Sequence, residues 1–187
     1  MGVHRSMANR SKQLSFIGKG LNAPSATFGG SQFAKSNPKT KRPLESKLPI
    51  HLVLRARQGG MRQPKAYREV NRLVYATAKK YGVKIYEYAN VGNHLHLAIK
   101  IARVPRWAAF IRELTGGIAQ TMYSLKLVKQ DDGFWLYRPF TRIIRSWRKA
   151  YADLKDYVEL NRLEAEGFIS RKDTHNLKEL RAFFADG

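Results

Sequence analysis

Four side chains in this sequence have the types and spacing to do chemistry together. His94 and His96 stand one residue apart in "VGNHLHLAIKIA" (91–102), and Tyr157 and Asn161 stand four apart in "DYVELNRLEAEG" (156–167). Two neutral imidazoles can chelate one cation. An amide oxygen such as that of Asn161 can join them, with a phenol oxygen beside it. The chain has five histidines and no cysteine, so disulfides, thiolate zinc centres and cysteine nucleophiles are excluded.

Whether the four groups meet depends on the elements that carry them. Along a strand, side chains alternate between faces. Leu95, Leu97, Ile99 and Ile101 then form one face, expected to be core, while His94, His96, Ala98 and Lys100 form the other. Residues two apart on a strand stand roughly 6.5–7 Å apart, close enough for two rings to lean onto one ion. The same pattern also fits two solvent-facing histidines. The open face of a central hairpin and the basic surroundings favour chelation.

A ligand set needs more than two imidazoles, and the helix expected over 149–167 is the element available to cross that face. Asp153, Tyr157 and Asn161 follow at i, i+4 and i+8, with Glu164 close behind, on one helix side. That spacing fits equally a packed helix in which Tyr157 joins Leu154, Val158 and Leu160 and Asn161 is a polar end residue.

The remaining elements follow from periodicity. "LPIHLVLRAR" (48–57) reads as a strand and 64–81 as an amphipathic helix, with Pro64 at its start and Gly82 at its stop. "VKIYEYANV" (83–91) and "HLHLAIKIA" (94–102) read as a hairpin around Gly92–Asn93. Residues 104–127 read as a second helix, with Gly116–Gly117 weakening it or admitting a close neighbour. "FWLYRPFTRIIRSW" (134–147) reads as an irregular edge strand interrupted by Pro139. The fold class is therefore α+β: a ferredoxin-like β-α-β-β-α-β antiparallel sheet with one further C-terminal helix. Residues 1–47 read as an extended basic arm, 48–168 as the domain, and 169–187 as a tail with a short helical pattern at Leu177, Leu180, Phe183 and Phe184.

The 187 residues carry a formal net charge of +21, which calls for a polyanionic partner, nucleic acid first. The surplus is uneven. Residues 1–49 hold nine basic residues against one acid, 50–130 fifteen against three, and 131–187 eleven against ten. No apolar run approaches the roughly 18 residues of a membrane span. The first residues lack a secretory apolar core, so no membrane is expected and the cytoplasm, in association with the nucleoid, is the expected location.

"VGNHLHL" resembles the His-hydrophobe-His motif of the HUH single-tyrosine transposases. "DYVELNRLEAEG" resembles their tyrosine helix, and "FWLYRPFTRII" (134–144) their Trp-x-x-Arg-Phe segment. The resemblance covers about residues 48–168, in the family's order, and is nearest to the REP-associated tyrosine transposases. Two positions depart from the family's usual pattern: Arg162 stands where a proline commonly follows the Asn, and Val91–Gly92 where Met-Pro commonly precedes Asn-His.

The resemblance implies that His94, His96 and Asn161 hold a divalent metal, Mg²⁺ or Mn²⁺, and that Tyr157 is the nucleophile. It also implies cutting of single-stranded DNA next to hairpins through a 5′-phosphotyrosine link and a free 3′-OH, by a monomer or homodimer. A tyrosine hydroxyl titrates near ~10 and is a poor nucleophile at neutral pH; a metal on the scissile phosphate would compensate. Lys39, Lys41, Arg42, Lys100, Arg138, Arg142, Arg145 and Arg148 are the expected backbone contacts, with salt-dependent affinity. Trp135, Tyr137 and Trp147 are either base-stacking residues or, for Trp135 above all, core. Two other readings compete. One is a non-catalytic RNA or DNA hairpin binder, although strand 94–102 offers His, Ala and Lys where RNA-recognition sheets offer aromatics. The other is a coat protein acting through its arm, which removal of residues 1–47 would disable.

Overall fold

The computed structural model describes residues 27–33, 37–129, 133–145 and 147–169. Most of the arm, including Phe16, and the tail pattern beyond 169 lie outside the described residues. The strands are β1 (Thr27–Phe28), β2 (Ile50–Arg55), β3 (Val83–Asn90), β4 (His94–Ile101) and β5 (Phe140–Ile143). The helices are α1 (Pro64–Tyr81), α2 (Trp107–Ser124) and α3 (Trp147–Glu166). The sheet is antiparallel throughout, in the order β1-β5-β2-β4-β3. The last four strands give the ferredoxin-like order expected from the sequence.

Local chemistry sets the boundaries. Pro64 opens α1, where its missing N–H costs nothing. Gly82 closes it in the left-handed region at φ 67°, its N–H bonding back to the Ala78 and Lys79 carbonyls. Ala66, Val70, Val74 and Ala78 are the buried stripe of α1, and Trp107, Phe110, Leu114, Ile118 and Met122 that of α2. Both stripes lie on the face of the sheet carrying Leu52, Leu54, Leu95, Leu97, Ile99 and Ile101, all buried. Gly117 does not break α2: Leu73 of α1 comes to 3.4 Å from where a Cβ would sit. That is ordinary van der Waals contact, so α1 and α2 pack closely here without requiring the glycine.

Two expectations change at the sheet's far side. The strand near Pro139 is shorter than expected, and β5 is not an edge, because β1 from the arm pairs with it through Thr27–Arg142 and Phe28–Thr141. Gly29 makes this docking possible. It lies at φ 90°, and a Cβ there would stand 2.1 Å from the Pro139 carbonyl oxygen. Trp135 forms only an isolated bridge to Ala56. Its indole N–H donates to the Thr115 carbonyl at 3.0 Å, and its ring packs on Phe134, so it belongs to the packing rather than to a stacking surface.

Arg42 fastens the arm. Its guanidinium donates to Thr141 Oγ1 at 2.7 Å and to the Phe28 carbonyl at 3.3 Å. It also lies 4.5 Å from the Phe28 ring centroid and 5.8 Å from that of Trp107. Burial, with Arg138 nearby, lowers its pKa to about 10. Deleting residues 1–47 would therefore remove a strand and this anchor along with charge. His51 on β2 is a buried polar group whose charge is strongly suppressed. Burial first, and the cation of Arg142 second, push its pKa down to about 3.

Two predictions follow from these contacts. Arg42→Ala should cost about 2 kcal/mol and lower Tm by about 4–8 °C. Lys41→Ala, an exposed neighbour, should shift stability by no more than ~0.5 kcal/mol; equal effects in thermal melts would deny the anchor. The second concerns pH. His51 stays neutral in the fold down to about 3, but charges in the unfolded chain below ~6.5. The unfolded state therefore binds more protons between those values, and stability should fall on acidification through that window. The slope attributable to His51 approaches ~1.4 kcal/mol per pH unit. Urea midpoints at pH 6, 5 and 4 should show a shallower slope in His51→Gln than in the unsubstituted chain.

Candidate functional site

The β3–β4 turn is held from two sides before the first histidine begins. Gly92 sits at φ 94°, a conformation suited to glycine. Its N–H donates to Asn90 Oδ1 at 3.0 Å, and its carbonyl accepts from the Met61 N–H. Asn90 Nδ2 donates to the Met61 carbonyl at 2.9 Å, and Arg62 to the Asn90 carbonyl at 3.0 Å. The Ala56 N–H donates to the Asn93 carbonyl at 2.8 Å. His94 therefore leaves a rigid turn.

Beyond the turn, the alternation expected of β4 holds. Leu95 and Leu97 enter the helix-covered core, while His94 and His96 face the other side, with ring centroids 4.9 Å apart. His96 is 1% exposed and His94 half-buried. His94 Nδ1 is hydrogen-bonded to Asn93 Oδ1. A carbonyl oxygen only accepts, so this contact protonates Nδ1 and places the His94 lone pair on Nε2.

Helix α3 crosses this face. Leu154 and Val158 pack with Ala89, Ala98 and Ile144 into a second apolar cluster, separate from the main core. That packing turns Tyr157 toward the histidines. Its ring stands edge-on to His96 at 5.2 Å between centroids, and 6.1 Å from His51. Asn161 is buried one turn further on, its Nδ2 donating to the Tyr157 carbonyl at 2.6 Å. Oδ1 is then the amide's acceptor end. Arg162, at the family's proline position, is exposed and paired with Glu159, and α3 continues through it to Glu166.

The groups that could hold a metal here are the two imidazoles and, from α3, an amide oxygen. They suit Mn²⁺, or Mg²⁺ retaining several waters. Among the described residues no group of three or more His, Cys, Asp or Glu converges on a metal position, so a closed structural zinc site has no basis there.

Of the expected basic contacts, Lys39, Lys41, Arg138 and Arg145 are exposed, with Arg138 donating to Asn37. Lys100 is half-buried opposite Lys84. Arg142 lies directly across from His51, on the face of the histidines. Arg42 is the exception, committed to Phe28 and Thr141. The side chains of Arg148, Trp147 and Asp153 lie outside the described residues. Two residues at the site were not among the expected ones. Arg55 is the register partner of His94, and His51 Nε2 lies 3.4 Å from His96 Nδ1. Their signal was the alternation of "IHLVLR", which puts His51, Val53 and Arg55 on one face; only the pairing register brings that face to the histidines.

No protein-family model and no curated protein matches the chain. Among solved structures, a REP-associated tyrosine transposase bound to a REP hairpin superposes with TM-score 0.56 at 14% identity, over 71% of this chain and 76% of that one. A putative transposase from Deinococcus radiodurans R1 aligns with TM-score 0.44 at 15% identity, over 67% of this chain and 98% of that chain. The fold of this chain is thus the antiparallel α+β architecture of the REP-associated tyrosine transposase structure.

Proposed function

We propose that the chain is a metal-dependent enzyme that cuts and rejoins single-stranded DNA beside hairpins. Tyr157 is the nucleophile, and His94, His96 and Asn161 are the metal ligands. The observation that carries this reading is the placement of α3 over the open sheet face, which brings the Tyr157 ring edge-on to His96 of its own chain at 5.2 Å. The shared architecture supports it. That neighbour's hairpin is the class of partner carried over to this strongly basic chain.

His94, His96 and Asn161 would hold a divalent cation, which when bound would withdraw charge from the scissile phosphate and orient it for in-line attack. In the step itself, the Tyr157 phenol loses its proton and its oxygen bonds to phosphorus. The bond from phosphorus to the 3′ oxygen breaks, and that oxygen leaves as a 3′-OH. The phosphodiester is conserved as a 5′-phosphotyrosine, so a second 3′-OH can reverse the step and rejoin strands without an energy source. Arg55 and Arg142, on the same face, are placed to neutralise flanking phosphates. Tyr157 acts in cis.

The test is incubation with end-labelled hairpin single strands in Mn²⁺ or Mg²⁺. A covalent protein–DNA adduct should form, disappear with EDTA, and be absent in Tyr157→Phe, which should still bind DNA within a few-fold. An adduct in Tyr157→Phe would remove the nucleophile assignment. Binding that survives EDTA, with no adduct on any hairpin tried, would establish the chain as a hairpin binder instead.

A further inference from the structure

His51 takes no part in the proposed reaction, yet it is a buried, titratable ring in contact with one of the assigned ligands. Its relation to His96 is defined by two distances. The His51 Nε2 to His96 Nδ1 separation is 3.4 Å, and the ring centroids are 5.7 Å apart at 21° between planes. The centroid separation equals the nitrogen separation plus one ring radius on each side. Both nitrogens therefore lie on the line joining the ring centres. The rings meet edge to edge, each nitrogen pointing at the other, and not face over face. That is the direction of an N–H···N hydrogen bond, at a separation longer than the usual range of roughly 2.7–3.2 Å.

Such a bond has two forms with opposite consequences. If His51 Nε2 donates, His96 Nδ1 accepts, the His96 proton sits on Nε2, and His96 offers no lone pair there. If His96 Nδ1 donates, its lone pair lies on Nε2. His94 stands beside it with its own Nδ1 protonated by the contact with Asn93, so the second form gives both ligands the same tautomer.

We propose that His51 is a positioning residue for His96: its Nε2 accepts the His96 Nδ1–H and keeps the His96 lone pair on Nε2, as Asn93 does for His94. This rests on the reading of His94 and His96 as metal ligands. Outer partners of this kind fix ligand tautomer and orientation, and their loss typically costs ~10–100-fold in metal affinity. His51 is well placed for it. A neutral imidazole carries one N–H and one acceptor. The place of His51 on β2, directly opposite Ala98, puts it one diagonal step from His96.

Ring-nitrogen NMR of the metal-free, full-length chain reads the tautomer directly, and Mn²⁺ titration followed by electron paramagnetic resonance reads affinity. His96 should carry its proton on Nδ1. In His51→Phe, which keeps volume but has no acceptor, the proton should move to Nε2 and Mn²⁺ affinity should fall ~10–100-fold. In His51→Gln, whose amide oxygen accepts, the tautomer should persist and affinity stay within a few-fold. Circular dichroism confirms folding, and the Gln variant decides the affinity arm if the Phe variant unfolds. A proton on Nε2 of His96 in the unsubstituted chain overturns the inference, as does a folded His51→Phe with undiminished affinity. If the unsubstituted chain neither binds Mn²⁺ nor forms an adduct, the enzymatic reading fails; the tautomer in the metal-free chain still judges His51.

Discussion

The packing of α3 onto the second sheet face is the contact on which the arrangement turns, because without it the four chemical groups stay on separate elements. That contact is made by Leu154 and Val158 from the helix and by Ala89, Ala98 and Ile144 beneath. The small side chains matter. Ala89 is the register partner of His96, and Ala98 that of His51, so each buried imidazole faces a methyl group across the ladder. The helix can then come close without displacing the rings. Larger residues at 89 or 98 would lift α3 and carry Tyr157 away from His96, since packed interiors absorb added volume poorly.

The two sheet faces divide the work. One holds an apolar core of leucines and isoleucines under α1 and α2, and it fixes the backbone of β2 and β4. The other holds His51, His94, His96 and, from above, Tyr157. Strand alternation means the same residues that anchor β4 also aim its histidines: with Leu95 and Leu97 seated, the rings between them have one direction to point. A slip of one residue in the β2–β4 register would exchange the faces, burying the imidazoles in hydrocarbon and exposing the leucines. The stability of the leucine face thus protects the geometry of the histidine face.

This division explains what was legible in the sequence. Helix and strand limits were readable where a local device marks them, as with Pro64, Gly82 and the Gly92 turn. The facing of His94 and His96 was readable from alternation alone. Tyr157 and Asn161 could be set on one helix side by spacing, but nothing in spacing says which surface that side meets. Three features could not be read because they depend on distant partners. The pairing of Thr27–Phe28 with β5 joins segments more than 110 residues apart. Arg42 has the composition of a surface cation, and only Phe28, Trp107 and Thr141 make it an internal fastener. His51 looks like one polar residue in an apolar strand until the register sets it diagonal to His96.

The polar content of the second face bears on whether Tyr157 packs or reacts. A face needed only to seat a helix is best built from apolar residues, because each buried polar group costs desolvation that a hydrogen bond only partly restores. Here His51 and His96 are buried beneath α3 and Asn161 is buried on it, and His51 costs stability on acidification besides. The sequence instead places two hydrogen-bonded imidazoles, an amide and a phenol where hydrocarbon would be more stable. Local rules broken at a stability cost, in a fold that obeys them elsewhere, are what the proposed chemistry would require of this face.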